Sequence, residues 1–315
     1  MKGTITILAA ILWIAFPIVL FAQANETKTA LVNGKKMSYK TLNIENRREG
    51  EPILLFESGL GGGTFDPILL LLPSHIAAIQ YERNGIGQSE PDSSLVFDSQ
   101  IADRLHSLLQ TLKIKPPYLL VGHSIGGAYI RLFASMYPDQ VCGLVFSDPT
   151  DFMLSQQENE KAKIASGSKT SYQEISAILM DRMAKNSQFS EGTRIDARRA
   201  LKSLSNGYFK EYTNLPPLKK EIAATVIISY NKNIEQPDED LNKELNLGIN
   251  FKAWWKEYDR LRIQHYSDLI KDNDNSMIIL LPKYSHGIYY QNPALVAKLI
   301  RENYDSYVSG RQEKP

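Results

Sequence analysis

The sequence predicts an α/β protein with a mostly parallel central sheet flanked by helices. Three observations predict it. Short apolar runs at 52–57, 76–81, 118–123, 141–146, 225–229 and 277–281 have the length of strands buried on both faces. Helical periodicity separates several of them, as at 99–112, where Ile101, Leu105, Leu108 and Leu109 share one face. The resulting alternation of strand and helix is what parallel crossover connections require.

The N-terminus carries one charge, Lys2, then an apolar run from Ile5 to Ala22 and the tripeptide Ala22-Gln23-Ala24. A charged start, an apolar middle and a small-x-small site read as a secretory signal peptide over residues 1–24, with an uncleaved membrane anchor as the alternative. The expected location is therefore exported, periplasmic or secreted. Without those 24 residues the chain has 291 of its 315, enough for one large α/β domain carrying an insertion. The whole chain sets 36 Lys+Arg against 35 Asp+Glu, and losing Lys2 balances them. Such a chain has no electrostatic footprint for nucleic acid or for an anionic membrane. Cys142, the single cysteine, lies in the apolar run 141–146 and reads as a buried strand residue.

Taken in order, Asn33-Gly34 between two partly alternating runs predicts a type I′ hairpin of edge strands. The strand at 52–57 ends in Ser58-Gly-Leu60-Gly-Gly-Gly63, a loop whose backbone can approach a ligand closely. A second buried strand leads into the turn-rich segment Glu82-Arg83-Asn84-Gly85-Ile86-Gly87. Then comes Gly122-His123-Ser124-Ile125-Gly126, a strand broken at a small serine and followed at once by a helical pattern with Ile130, Leu132, Phe133 and Met136. Flanking glycines let a serine occupy a tight strand-to-helix turn, lifting its hydroxyl clear of the sheet. The first N–H groups of the helix, Ile125 foremost, then face whatever Ser124 attacks, and Leu60 N–H is the second expected oxyanion donor.

From Thr150 to about Leu218 the strand signal disappears. Ser171-Tyr-Gln-Glu174 is a capping box opening a helix to about Lys185, and another helix is expected from Glu191 to Ser205 before Asn206-Gly207. This segment, 150–218, is expected to form a helical cap over a core made of 25–149 and 219–315. Arg198 and Arg199 read as a solvated face. A helix is expected from Asn250 to Ile270, with Trp254 and His265 as packing residues, and Asn292-Pro293 opens a terminal helix through about Tyr304.

A serine hydroxyl needs a base. Of the five histidines, His75 precedes a strand, His106 and His265 lie within helices, and His123 is expected to point away from the serine's cleft. His286, in the loop after the last strand with Gly287 beside it, is the candidate.

Together Ser58-Gly-Leu-Gly-Gly62, Tyr81 to Ser89, Gly122-His-Ser-Ile-Gly-Gly127, Leu144 to Pro149 and Ser285-His-Gly287 resemble the α/β-hydrolase superfamily, in particular its cap-bearing serine hydrolases, which include esterases and proline iminopeptidases. Serine at the elbow departs from the aspartate of haloalkane dehalogenases and epoxide hydrolases. The resemblance implies an α/β-hydrolase fold and a serine-histidine-acid triad. The usual acid follows the strand at 225–229, but the turn there reads Tyr230-Asn-Lys-Asn233. Asp148, at the end of the strand after the nucleophile unit, is the preferred replacement, and Glu235 is the alternative, ahead of Asp238 and Asp240. The activity expected is hydrolysis of a small carboxylic ester through an acyl-enzyme. An aminopeptidase or amidase of the same fold, or a non-catalytic binding protein, is the rival. No cofactor is expected, and the scattered histidines and lone cysteine suggest no metal site.

Overall fold

The computed structural model describes residues 26–205 and 209–312; the expected leader at 1–24 and the turn at Asn206-Gly207 lie outside the described residues. The chain opens on strands β1 (Lys28–Val32) and β2 (Lys35–Leu42), joined at Asn33 and Gly34. Both turn residues have positive φ, 49° and 76°, and Val32 pairs with Lys35. That is the type I′ geometry, whose twist matches that of the flanking strands.

Six more strands follow: β3 (Ile53–Glu57), β4 (Ala77–Tyr81), β5 (Tyr118–His123), β6 (Val141–Ser147), β7 (Ala223–Tyr230) and β8 (Met277–Pro282). They form one 8-stranded sheet in the order β1-β2-β4-β3-β5-β6-β7-β8. Only the β1–β2 and β2–β4 pairings are antiparallel. Because β3 to β8 run parallel, their C-terminal ends share one edge of the sheet. The register levels those ends: Glu57 pairs with Gly122, Gly122 with Phe146, and Ser147 with Ile227.

The helices are α1 (Asp66–Leu69), α2 (Asp98–Thr111), α3 (Ile125–Met136), α4 (Gln156–Ala165), α5 (Tyr172–Lys185), α6 (Glu191–Ser205), α7 (Gln236–Glu244), α8 (Phe251–Ile270), α9 (Ile288–Gln291) and α10 (Pro293–Gln312). Alternate strand residues feed two cores, as a pleated sheet requires. Leu55, Leu120, Leu144 and Val226 pack with α2, α3 and the C-terminal part of α8, whereas Leu54, Leu119, Val145 and Ile227 pack with α1, α9 and α10. Cys142 is buried in the second core.

A third apolar cluster joins Leu154, Ala162 and Ile175 to Leu247, Ile249, Trp254, Tyr258 and Leu261. The helical layer therefore reaches beyond 150–218 and takes in residues from the β7–β8 connection. Burying each large side chain such as Trp254 contributes about 1.5–3 kcal/mol, and the apolar flank of α5 supplies the surface for it. Helix α8 spans both layers, with Trp254 in the third cluster and Tyr266 in the first core.

Helices α4 and α7 are additions to the expected elements. The first carries the same signature as α5: Ser155 Oγ accepts from Glu158 N–H, as Ser171 Oγ accepts from Glu174 N–H. The terminal helix continues past Tyr304 to Gln312, because Tyr304 is buried against the sheet and pattern alone marks no stop there. His265 is tied by ion pairs rather than apolar packing, with Nδ1 2.8 Å from Asp151 Oδ2 and Nε2 3.2 Å from Glu158 Oε1. Arg199 is the main surprise of α6. It is 3% exposed and paired inward with Asp196 and Asp98, whereas its neighbour Arg198 pairs with Glu191 at the surface. One residue is about 100° of rotation on a helix, so adjacent arginines face different surroundings.

Candidate active site

Ser124 sits at the junction of β5 and α3 with φ 56° and ψ −125°, a region that non-glycine residues avoid at a cost of order 1–3 kcal/mol. The surroundings impose it. A side chain at Gly122 would put its Cβ 2.5 Å from the Gly126 carbonyl oxygen, and one at Gly126 would collide with the Glu57 carbonyl. The strand and helix can pack this closely only through glycine. Ser124 N–H donates to Ser147 O at 3.3 Å, and Ser124 O accepts from Gly127 N–H and Thr150 N–H, both at 3.0 Å. The backbone is held on both sides of the hydroxyl.

Asp148 follows directly from β6. Its N–H donates to Ile227 O at 2.7 Å, and its side chain is fully buried. Oδ2 lies 2.6 Å from His286 Nδ1, while Oδ1 accepts from Ser229 N–H at 2.9 Å and stands 3.1 Å from Arg262 Nη1. Lys232 Nζ is 3.5 Å from Oδ2. Burial alone would push this carboxyl's pKa up; Arg262, then Lys232, then His286 more than offset it, and the group is held well below the usual carboxylate range. It remains an anion facing the imidazole.

His286 is half exposed, its ring opening onto a cavity of about 640 Å³ that Ser124 also lines. Among the described residues no hydrogen bond joins Ser124 Oγ to His286. His123 does not point away from this region. Its Nε2 lies 3.0 Å from the His286 carbonyl and its ring centroid 4.6 Å from that of His286. Burial, then the neighbouring His286, pushes its pKa down to about 4. A neutral His123 supports the His286 loop by donating through Nε2.

Glu235 is exposed at the start of α7, on the cavity rim beside Asp238, and makes no hydrogen bond or ion pair with His286. The structure brings Asp148, not Glu235, to the imidazole. Asp240 is exposed on α7, bonded to Gln236.

The loop 58–63 crosses directly over the serine: a Cβ on Gly59 would stand 3.3 Å from Ser124 Cβ. Leu60 and Ile125 line a second, apolar chamber of about 300 Å³ together with Ser124. Ile175, Leu179 and Met180 of α5 and Trp254 of α8 close it. The larger chamber is mixed, with the charged Asp151, Lys232, Glu235 and Lys283 beside Leu154, Tyr258 and Trp255 in its wall. Ser124 lies where the two meet. Among the described residues, no group of three or more His, Cys, Asp or Glu is placed to hold a metal ion.

A sequence model of the family described as alpha/beta hydrolase fold matches residues 52–223. The chain belongs to this family. A Mesorhizobium japonicum 2-(acetamidomethylene)succinate hydrolase is 28% identical over 44% of this chain and 50% of its own length. The uncharacterized protein YqjL of Bacillus subtilis is 33% identical over 30% of this chain and 39% of its own. The chain thus spans half or less of these curated relatives. A thermophilic esterase from Thermogutta terrifontis superposes with a TM-score of 0.56 over 90% of this chain and 99% of that one, at 16% identity. At that identity the likeness shows the fold alone.

In this alpha/beta hydrolase the turn after β7 supplies a cation where the resemblance leads one to expect an acid. Lys232 Nζ points to Asp148 and lies 4.2 Å from the centroid of the Trp255 ring. Neither Lys232 nor Arg262 stands out in the sequence. Both reach Asp148 from the β7–β8 connection, and no local pattern announces a partner so distant along the chain.

Proposed function

We propose that this protein is an exported serine hydrolase that cleaves a carboxylic ester through an acyl-enzyme. The 2.6 Å pair between Asp148 and His286, opening on the cavity that Ser124 lines, is the observation that carries the reading. His286 Nε2 takes the proton of Ser124 Oγ as it attacks the ester carbonyl, and Asp148 stabilises the imidazolium that forms. Leu60 N–H and Ile125 N–H receive the oxyanion. Among the described residues no acceptor engages either N–H. Collapse of the tetrahedral species expels the alcohol with the proton from His286, and water repeats the sequence to free the acid. The apolar chamber suits an acyl group with no charge, and the larger chamber the alcohol side. Residues 1–24 are the export signal.

A second reading is an aminopeptidase. Exposed Glu235 and Asp238 on the cavity rim suit a substrate ammonium. Assay of the wild-type protein against p-nitrophenyl esters of graded acyl length and against aminoacyl-anilides separates the two. Faster turnover of the uncharged acyl esters supports the esterase. Turnover of the anilides alone supports the peptidase, and inertness toward both contradicts each.

A further inference from the structure

A buried row of charges runs from the sheet into the helical cap beneath the loop that crosses Ser124. Arg83, just beyond β4, is 2% exposed, and its guanidinium is committed on every side. Nη1 stands 2.5 Å from Glu57 Oε1 and donates to the Ser58 carbonyl at 2.8 Å and to Ser58 Oγ at 3.2 Å. Nη2 donates to the Gly59 carbonyl at 2.6 Å and to Asp196 Oδ2 at 2.7 Å. Asp196 belongs to α6, so a cap residue completes the shell of a core arginine. The same Oδ2 accepts from Gly61 N–H at 3.4 Å, while Oδ1 holds Arg199 at 2.7 Å. Arg199 continues the row to Asp98 Oδ1 at 3.3 Å and to the Tyr129 hydroxyl at 2.8 Å.

The consequence follows from the peptide unit. The Gly59 carbonyl and the Leu60 N–H belong to one planar trans amide, so they point in opposite directions. Fixing the carbonyl on Arg83 sends the N–H away from Arg83. Gly59 itself sits against Ser124, close enough that only a residue without a side chain fits there comfortably. The loop itself adds one bond to the Gly59 carbonyl, from Gly62 N–H at 3.1 Å, but Gly61, Gly62 and Gly63 all have positive φ and no side chains to hold the turn in place. From the cap side, Thr193 presses on the same loop, its Cγ2 3.0 Å from where a Cβ on Gly61 would stand. The N-terminus of α6 is further tied to the core where Gly192 N–H donates to Gly85 O at 3.1 Å.

We propose that Arg83 and Asp196 are positioning residues that aim the Leu60 N–H at the oxyanion, so that seating the cap helix α6 on the core assembles the oxyanion hole. This rests on the serine-hydrolase reading above. A buried carboxylate that only stabilised the fold would affect melting temperature and leave turnover per folded molecule alone. A positioning residue changes kcat while leaving KM nearly untouched, since a misplaced donor weakens transition-state binding in particular.

The test compares Asp196→Asn with Glu211→Gln. Glu211 accepts from the Asp98 and Ser99 N–H groups at 2.8 and 3.0 Å and touches no residue of the loop, so its variant controls for loosening of the same region. For each folded protein, kcat and KM for p-nitrophenyl butyrate are measured with the inhibition constant of an aryl trifluoromethyl ketone, whose serine adduct carries an oxyanion. Loss of one oxyanion donor costs about 10²–10³ in turnover, and a displaced donor less, so Asp196→Asn should lower kcat about 10- to 100-fold. KM should stay within about threefold, and ketone affinity should fall in parallel with kcat/KM. Arg83→Lys, which retains the charge but not the fork that holds two carbonyls, should do the same. Wild-type kcat and ketone affinity in Asp196→Asn would overturn the proposal, as would equal losses in Glu211→Gln. An inert wild-type protein would overturn the esterase reading and this inference with it; an active one with an unimpaired Asp196→Asn overturns this inference alone.

Discussion

Arg262 Nη1 stands 3.1 Å from Asp148 Oδ1, at the point where α8 passes from the third apolar cluster to the flank of the sheet. Arg262 Nη2 donates to Asp259 Oδ1 at 2.9 Å and to the Ser229 carbonyl at 2.7 Å. One side chain therefore ties the proposed catalytic acid, a strand end and a helix together. Losing it leaves two buried carboxylates with weakened compensation. Arg262→Met is expected to destabilise the protein by about 3–5 kcal/mol, read as a lower urea midpoint at unchanged slope. A midpoint like that of the wild type would show that the pair contributes little.

The acid assignment separates cleanly by substitution. Asp148→Asn keeps the shape but removes the charge that stabilises the imidazolium, and kcat should fall by about 10⁴. Glu235→Gln, at the exposed start of α7, should leave kcat within about twofold. Steady-state ester hydrolysis measures both, and the reverse ranking would move the role to Glu235.

With the acyl group in the apolar chamber, as proposed, the chamber's size limits acyl length. Ala200 lines it, and Ala200→Phe should shrink the volume left for long acyl groups. Each methylene denied burial costs about 0.8 kcal/mol, so esters with several excess carbons should lose on the order of tenfold or more in kcat/KM relative to acetate. An acyl-length profile parallel to that of the wild type would place the acyl group elsewhere.

His265 links the loop after β6 to α4 and α8. Burial lowers its pKa, but the hydrogen bond and charge of Asp151, then those of Glu158, win and push it up from 6.5 to about 9. A group whose folded-state value is raised stabilises fully below its unfolded value and loses that contribution as pH rises through the folded one. The melting temperature of the wild type should therefore exceed that of His265→Gln by a few degrees at about pH 6, with the gap closing by about pH 10. A gap independent of pH would contradict the charged pairing.

What is legible in the sequence is what is local. The two glycines around Ser124, the Asn33-Gly34 hairpin and the Ser171 capping box each act within a few residues, so their geometry is written in short motifs. The parallel sheet is legible too, since strands buried on both faces give continuous apolar runs. Arg199 departs from its expected solvated face for the opposite reason. A charged residue on a polar helix reads as solvated, and only the fold brings Asp98 and Tyr129 to its other side. The same holds for Lys232 and Arg262 around Asp148. Trp254 packs as its spacing predicts, but its partners on α5 come from a separate stretch of chain, and so the extent of the third apolar cluster is not visible in the sequence.

The central claim is that Ser124 is made nucleophilic by His286. Its most direct test is reaction of the folded protein with a fluorophosphonate, followed by peptide mass mapping. A single stoichiometric adduct on Ser124 is expected, absent in Ser124→Ala and slowed by orders of magnitude in His286→Ala. A folded protein that does not react, or an adduct on neighbouring Ser285 with Ser124 untouched, would contradict it.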